Sequence, residues 1–496
     1  MNFITAIQTV FEPFTLTVIV ASAIFGLFVG SMPGLTATMA AALLVPLTFY
    51  MDPVPAIGAI VTCSAMAIFA GDIPGALLRI PGTPASAAYV SEAYQLGRKG
   101  QLSRVLSVNL IASAIGGIFG TLVLIMLAPQ LAQVALRFSS YEYFWLALIG
   151  LSAATLISSS NPIKGLTALF LGLFLAVVGL DVVTGLPRYT FGTVDLMGGV
   201  SLIAALIGLF AVAELFRKAA TIHEDLPPPA QVTGAILPQG LSAIAQYRWN
   251  ALRGSTIGTF LGILPGAGAD IAGWISYAVS KRFSKTPEKF GTGHIEGVVD
   301  ASASNNASLG GAYVPALVFG IPGDSITAIV IGVLLIKGMN PGPTVFTQSG
   351  DIVSAIFVVF ILANLLLIPL GLLAIKAARH VLRINQRMLL PIILMFSIVG
   401  AYAVNNSVFD LWIVLGLGLL GWIMEENGFP IAPMVLGLVL GKIVEESFTN
   451  SMIKAGGNVI AFIDRPIAAT LAFVFFAIWI VPFVLRLAGR RVPRAS

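Results

Sequence analysis

Long apolar runs separated by short polar loops recur along the chain. A helix that crosses a bilayer takes about 20 apolar residues. Candidate runs cover 14–31, 105–128, 142–160, 163–180, 197–216, 352–375, 388–404, 408–424, 430–444 and 466–487. Further apolar stretches interrupted by Pro and Gly cover 33–49, 56–90, 254–280 and 307–340. The pattern predicts an all-α polytopic membrane protein with about 12 transmembrane segments, some of them discontinuous.

Two of the interrupted stretches share a motif. Residues 26–34 read GLFVGSMPG and residues 258–266 read GTFLGILPG, so both fit GxFxGxxPG. A second pair follows, with IPG at 73–75 and again at 321–323. The paired motifs predict an internal repeat. Its halves are separated by the polar segment 221–250, whose three consecutive prolines indicate an extended linker.

We therefore predict a first membrane repeat over 1–220, a cytoplasmic linker over 221–250, and a second repeat with C-terminal helices over 251–496. Basic residues distinguish equivalent loops of the two halves. In the first pair of equivalent loops, 281–289 has four basic residues and 51–55 has none. In the second pair, 98–104 has three basic residues and 347–351 has none. Because basic loops lie in the cytoplasm, the repeats are predicted to have inverted topology. Basic stretches at 376–387 and 486–494 place the C-terminus inside. Broken helices in inverted repeats are typical of secondary transporters.

Composition limits the alternatives. Apolar residues make up 57% of the chain and charged residues 10%, which excludes both a soluble domain of this length and a disordered chain. The net charge of +5 comes from short basic loops, so we expect no nucleic-acid partner. Cys63 is the only cysteine and the three histidines are far apart, so neither a disulfide framework nor a resident metal site is expected. No basic residue precedes the first apolar run, so that segment is expected to remain in the mature protein.

The Pro-Gly breaks lie at membrane depth, where non-helical backbone survives only if it is buried or lines a wet cavity. Half-helices that begin at a break direct N–H groups and a positive dipole end into it, which suits a carboxylate. Hydroxyl and amide side chains nearby add donors. The predicted substrate-binding residues are Pro33, Gly34, Thr36, Thr38, Arg79, Thr83, Ser86, Pro265, Gly266, Gly268, Asn305, Asn306 and Ser325. Tolerated kinks are the alternative for each break.

Several of these residues have open alternatives. Arg79 could grip a carboxylate through both guanidinium nitrogens, or extend from a helix end toward the bilayer surface. The small polar stretch 297–311 could hold a ligand, or serve close helix packing. Asp72 could hold a cation or pair with Arg79. Predicted ion-binding residues, with sodium as the coupling ion and no other cofactor, are Asp270, Asp324, Asn305 and Asn306.

The sequence contains no complete motif of a soluble enzyme. GAGADIAG at 266–273 resembles a dinucleotide fingerprint, but Ile271 stands where the third glycine belongs. The chain has no GxxxxGK[ST], GxSxG or HExxH motif. We therefore predict that the protein is not an enzyme.

The motifs together resemble the large membrane subunit of the tripartite tricarboxylate transporter family (TctA-like). The resemblance spans roughly 20–450 and rests on PGLTATMAAALLVPLTF, IPGTPASAA, GILPGAGAD, SNNAS, and GIPG followed by LLIKGMNPGP. It implies a multi-pass carrier of the bacterial inner membrane that imports an organic di- or tricarboxylate by sodium symport. Its implied partners are a small membrane subunit, a periplasmic substrate-binding protein and membrane lipid, with a homodimer of the membrane complex as a further expectation. Charged residues at Arg79, Asp72, Asp324 and Lys337, and Ala301-Ser302 in place of Pro-Glu, depart from the family pattern and argue against assigning citrate specifically.

Three alternatives remain open at the level of the sequence. An uncoupled anion channel would need a continuous polar pore. A membrane scaffold would use the breaks only for packing, and a membrane enzyme would need a convergent set of acid, base or metal ligands. Elevator-like motion and rocking are both compatible with the repeats.

Overall fold

The structure, a computed structural model, describes residues 3–157, 161–181, 184–220, 236–266, 268–381 and 386–487. Over these ranges it is helical apart from loops and two short antiparallel strands, β1 (Gly179–Leu180) and β2 (Pro187–Arg188). The predicted all-α class is confirmed. The small β-hairpin was not predicted from the apolar pattern.

The α-helices of the described residues are, in chain order, α1 (Phe3–Val10), α2 (Pro13–Ser31), α3 (Ala37–Thr48), α4 (Pro53–Ala70), α5 (Asp72–Leu78), α6 (Val90–Leu96), α7 (Leu102–Ala135), α8 (Ser140–Ile157), α9 (Pro162–Ala176), α10 (Leu202–Leu206), α11 (Ala213–Ala220), α12 (Ile236–Gln246), α13 (Arg248–Gly262), α14 (Gly268–Phe283), α15 (Ile295–Phe319), α16 (Ser325–Ile336), α17 (Val345–Gln348), α18 (Gly350–Val381), α19 (Gln386–Asn405), α20 (Val408–Glu426), α21 (Ile431–Lys454) and α22 (Pro466–Leu487). A π-helical segment, Ile207–Val212, joins α10 to α11. Short 3₁₀ turns cover Ser86–Ala88, Pro287–Lys289 and Val459–Phe462.

Several helices are long and apolar enough to cross a bilayer. Within the described residues, five segments meet both criteria: Pro13–Ser31, Pro53–Leu78, Val90–Ala135, Gly350–Ala378 and Val408–Glu426. Shorter apolar helices accompany them, among them α3, α9 and α16. The chain therefore has the helices of a multi-pass membrane protein. The count of about 12 crossings stays a prediction.

Both Pro-Gly motifs end one helix and begin another. The first separates α2 from α3, and the second separates α13 from α14. Gly34 (φ +77°) and Gly266 (φ +101°) occupy matched positions in the two motifs. Their positive φ angles lie in a region that side chains other than glycine rarely adopt, which explains why each turn contains glycine. The predicted broken helices are thus present at both motifs.

The other motif glycines serve close helix packing. A Cβ atom on Gly26 or Gly30 of α2 would overlap the backbone of α4, at Cys63 and Ala67. The matched residues of α13, Gly258 and Gly262, would in the same way overlap the backbone of α15 at Ser304 and Ser308. Small residues that let two helix backbones approach are typical of packing within membranes.

The helix contacts are arranged in matching pairs. Helix α2 packs on α4, and α13 packs on α15. A long helix of each half packs on the other half: α7 packs on α15, and α18 packs on α4. The short helices that precede the motifs also pair across, α1 with α18 and α12 with α7. The two halves therefore interlock rather than form separate bundles.

The predicted linker 221–250 is only partly described. Residues 221–235, which contain the three prolines, lie outside the described residues. The remainder differs from an extended linker, because α12 begins at Ile236 and α13 begins at Arg248. Helix α12 buries Ile236, Ala243 and Ile244, and this apolar side is what holds the segment against the bundle.

Candidate functional site

A small polar cavity lies where the breaks of both halves meet. The first half contributes Thr36, Thr38 and Thr83 to its wall. The second half contributes Asp270, Asn305, Asp324 and Ser325. Seven residues predicted from the sequence as ligands therefore lie together, although they come from distant parts of the chain.

The cavity is small. Its volume is about 40 Å³, and one water needs about 10–15 Å³ of such space. A cation with a water or two fits, whereas a di- or tricarboxylate does not. An organic anion can therefore enter only if the surrounding segments move apart.

Hydrogen bonds fix the second-half wall of the cavity. The N–H of Gly266 donates to the carbonyl oxygen of Gly323 at 3.1 Å, which joins the two breaks of this half. Asp324 caps α16, because its Oδ1 accepts the N–H of Thr327 at 2.7 Å and the Thr327 hydroxyl accepts the N–H of Asp324 at 2.9 Å. One carboxylate oxygen is thus engaged in helix capping.

The first-half wall is fixed by caps and turns. Thr36 caps α3, where its hydroxyl accepts the N–H of Met39 at 3.1 Å. Thr83 and Ser86 exchange hydrogen bonds in both directions, with N–H to hydroxyl distances of 3.0 Å. The indole of Trp274 on α14 donates to the carbonyl oxygen of Pro84 at 3.0 Å, which attaches this loop to the second half.

The ionisable side chains of the cavity wall are acidic. Asp270 lies in the first turn of α14 and receives no hydrogen bond from any described residue, and Asp324 stands nearby in the same wall. No Lys, Arg or His from the described part of the chain lines this cavity. Carboxylate and amide oxygens are ligands that suit a hard cation, so the wall fits a cation better than an anion.

Asn305 connects the cavity to a buried polar network. Its amide nitrogen lies 3.2 Å from the hydroxyl of Thr83 and 3.2 Å from the hydroxyl of Tyr89. Tyr89 donates in turn to Asp72 Oδ1 at 2.7 Å. The hydroxyl of Ser302 lies 3.5 Å from the other oxygen of Asp72. The alternative pairing of Asp72 with Arg79 is therefore not observed.

Three predicted side-chain ligands, Arg79, Ser86 and Asn306, lie outside the cavity wall. Arg79 is an exposed residue with φ +64° at the end of α5, and its guanidinium donates to Ser91 at 3.3 Å. Asn306 is 1% exposed, and its amide makes no hydrogen bond with any described residue. Of the remaining predicted residues, Pro33, Gly34, Pro265 and Gly266 lie in the turns before α3 and α14, and Gly268 is the first residue of α14. None of the five belongs to the cavity wall.

One cation near the first break was not predicted from the sequence. The ammonium of Lys218, in the last turn of α11, lies against Gly34 in the space that a Cβ atom would occupy. Its sequence signal was weak, because a lysine before a polar linker is typical of the cytoplasmic end of a helix. Tyr89 was missed too, because an isolated tyrosine beside small residues carries no pattern.

A second, larger cavity is apolar. It encloses about 420 Å³ between α2, α3 and α19, and its wall includes Phe25, Phe28, Leu44 and Phe396. Its polar wall residues are Ser22 and Thr48. Such a wall offers nothing that could fix a carboxylate or a metal ion, so the small polar cavity is the candidate site.

Comparisons with known proteins agree with these features. The model of the Tripartite tricarboxylate transporter TctA family matches residues 16–436. An uncharacterized 52.8 kDa protein in the TAR-I ttuC' 3' region of Agrobacterium vitis is 32% identical over 490 residues, which cover 99% of this chain and 97% of the relative. An uncharacterized protein in the TAR-II ttuC' 3' region of the same organism is 38% identical over 214 residues, 43% of this chain and 88% of the relative. No solved structure matches the chain.

Proposed function

The chain belongs to the tripartite tricarboxylate transporter TctA family, and on this premise we propose that it is the large transmembrane subunit of a secondary transporter that imports an organic di- or tricarboxylate together with sodium. The observation that carries the proposal is the convergence of the breaks of both halves on one cavity that contains Asp270, Asn305 and Asp324. Inverted-repeat transporters bind substrate and coupling ion at such meeting points.

The negative wall supports a coupling cation. Sodium in the cavity would be held by the carboxylate groups of Asp270 and Asp324 and by the amide oxygen of Asn305. An anion would meet repulsion from the two carboxylates until the cation neutralises part of their charge. Binding of the cation would therefore favour binding of the substrate, which is the thermodynamic basis of symport.

The substrate itself would bind beside the cation after the breaks separate. Lys218 supplies a positive charge next to Gly34, and Thr36 and Thr38 supply hydroxyl donors. A carboxylate placed there would meet the ammonium, the hydroxyls and the N–H groups of the first break. In this proposal Lys218 takes the role that the sequence assigned to Arg79.

Two inverted repeats are part of the same proposal. The paired packing of α2 on α4 and α13 on α15, with α7 and α18 crossing between the halves, supports them. We propose that the protein lies in the bacterial inner membrane with its C-terminus in the cytoplasm, because the loops 98–104 and 281–289 and the stretches 376–387 and 486–494 carry basic residues. Family membership supports a small membrane subunit and a periplasmic binding protein as partners.

An uncoupled channel is the second candidate. A channel needs a continuous polar path, whereas the site is a small cavity of about 40 Å³ beside hydrogen-bonded turns. This geometry favours a carrier. A scaffold subunit would have no use for two carboxylates at a site where helices are broken.

Uptake into proteoliposomes tests the proposal. The protein is reconstituted with the small subunit, and labelled carboxylates are added with or without the binding protein and an inward sodium gradient. Uptake that requires both supports a sodium-coupled tripartite carrier. Flux without a sodium gradient or binding protein would show that the protein is a channel rather than a carrier. Absence of flux from folded, fully assembled protein would favour the scaffold.

A further inference from the structure

Three side chains form a chain of hydrogen bonds from the interior to the cavity wall. Asp72 is 2% exposed and Tyr89 is 1% exposed. The Tyr89 hydroxyl donates to Asp72 Oδ1 at 2.7 Å, and the Asn305 amide nitrogen donates to the Tyr89 oxygen at 3.2 Å. Asn305 is the member that lines the cavity. Asp72 is therefore separated from the site by a single tyrosine.

The direction of these bonds is set by the number of protons available. An ionised carboxylate can only accept, and a tyrosine hydroxyl has one proton to donate. Because that proton goes to Asp72, the Tyr89 oxygen must accept from Asn305, and only the amide nitrogen can donate. Thr83, 3.2 Å from the same nitrogen, accepts its second proton.

The amide oxygen of Asn305 is consequently turned away from Tyr89. It receives no hydrogen bond from the described residues, and the residue borders the cavity that also contains Asp270. Were the order of donors reversed, the Tyr89 proton would point at the amide oxygen, and the amide nitrogen would face the cavity. An N–H donor repels a cation, so the direction of the chain decides what the cavity accepts.

We propose that Asp72 is a positioning residue of the cation site, which acts through Tyr89 to hold the Asn305 amide oxygen toward the cavity. The inference rests on the proposed function, since it assumes that the cavity takes a cation. An ionised Asp72 would also favour a cation in the cavity through its negative charge. No Lys, Arg or His in the described ranges bonds to Asp72.

A double-mutant cycle tests the direction of the chain. Asn305→Asp places a second carboxylate against Tyr89, so two acceptors compete for one proton. Asp72→Asn combined with Asn305→Asp reverses the chain, because the amide at position 72 donates to Tyr89 and Tyr89 donates to the carboxylate at position 305. The loss caused by Asn305→Asp should therefore be smaller when Asp72→Asn is present.

For each variant, the melting temperature of the purified full-length protein is measured at increasing concentrations of sodium chloride. Potassium chloride at equal ionic strength is the reference. We expect the double variant to need about tenfold less sodium than Asn305→Asp alone for the same stabilisation, the equivalent of about 1.4 kcal/mol. Additive effects in the cycle would overturn the proposal.

Two controls separate positioning from general damage. The same cycle with Asn306→Asp should be additive, because Asn306 neighbours Asn305 but bonds to no described residue. Tyr89→Phe, which introduces no new buried charge, should weaken the sodium effect. Tyr313→Phe should not, because the buried Tyr313 hydroxyl has no hydrogen-bond partner in the described part of the chain. Equal sodium effects in both phenylalanine variants would overturn the proposal.

The outcome also separates this inference from the proposed function. Wild-type protein that takes up substrate with sodium while the Asp72–Asn305 cycle is additive refutes only the positioning role. Wild-type protein with neither uptake nor a sodium-dependent melting temperature refutes the proposed function, and the positioning role fails with it.

Discussion

Glu92 and His294 are joined by a partly buried hydrogen bond, in which the backbone N–H of His294 donates to the Glu92 carboxylate at 2.8 Å. The same carboxylate accepts the N–H of Gly293 at 2.5 Å, the N–H of Gly291 and the hydroxyl of Tyr277 at 2.6 Å. Glu92 belongs to α6 of the first half, and its four donors belong to the second half. One carboxylate thus ties the two halves together beside the basic loops.

Glu92→Gln tests this tie. An amide has one acceptor oxygen and brings two protons toward a group of donors, so at least one N–H would be left unsatisfied. We expect the free energy of unfolding to fall by about 1–3 kcal/mol, measured as a lower melting temperature in detergent. The exposed Glu288 provides the matched control, and Glu288→Gln should leave the melting temperature unchanged. Equal melting temperatures for both variants would contradict the tie.

Gly258→Ala tests the close packing of α13 on α15. The added Cβ atom would overlap the backbone at Ser304, so the helices must separate, which costs about 1–3 kcal/mol in a packed core. The matched control is Gly416→Ala, since a Cβ atom there meets nothing within 4 Å and alanine is the better helix former. We expect a lower melting temperature for Gly258→Ala alone. A similar fall in melting temperature at both positions would show that the contact between Gly258 and Ser304 does not determine stability.

The sequence predicted the helices and the breaks because both depend on local patterns. The periodic apolar runs and the Pro-Gly turns at Gly34 and Gly266 needed no tertiary information. Asp270, which follows the second motif, and Asn305, from the small polar stretch 297–311, were also predicted to belong to one site. The role of Gly258 was missed, because a glycine that breaks a helix and a glycine that packs against one look alike without the partner helix.

The positions of the charged side chains depend on the fold rather than on local patterns. The left-handed turn at Arg79 directs its side chain outward, and no apolar pattern reports such a turn. Lys218 lies against Gly34 although 184 residues, the difference between 218 and 34, separate them along the chain. Tyr89 acquires its role only from Asp72 and Asn305. Side-chain contacts over such distances depend on the whole fold.

Asp270→Asn tests the proposed cation site. The change keeps the size of the side chain and removes a charge that no described residue bonds to. We expect the sodium concentration for half-maximal uptake to rise about tenfold, the equivalent of about 1.4 kcal/mol, with little change in melting temperature in the absence of sodium. Asp464→Asn, at an exposed position, is the matched control. An unchanged sodium dependence of uptake would remove Asp270 from the site.

Lys218→Gln tests which cation meets the substrate. Charge-assisted hydrogen bonds to a carboxylate are about twice as strong as neutral ones, so losing the ammonium beside Gly34 should raise the KM for a carboxylate about tenfold. Lys218→Arg should restore part of the affinity. Arg79→Gln is the comparison variant and should change KM little, because Arg79 is exposed and bonds to Ser91. A large effect on KM at Arg79 and none at Lys218 would contradict the proposal and indicate that Arg79 binds the substrate. Such a result would require a conformation in which the end of α5 turns inward.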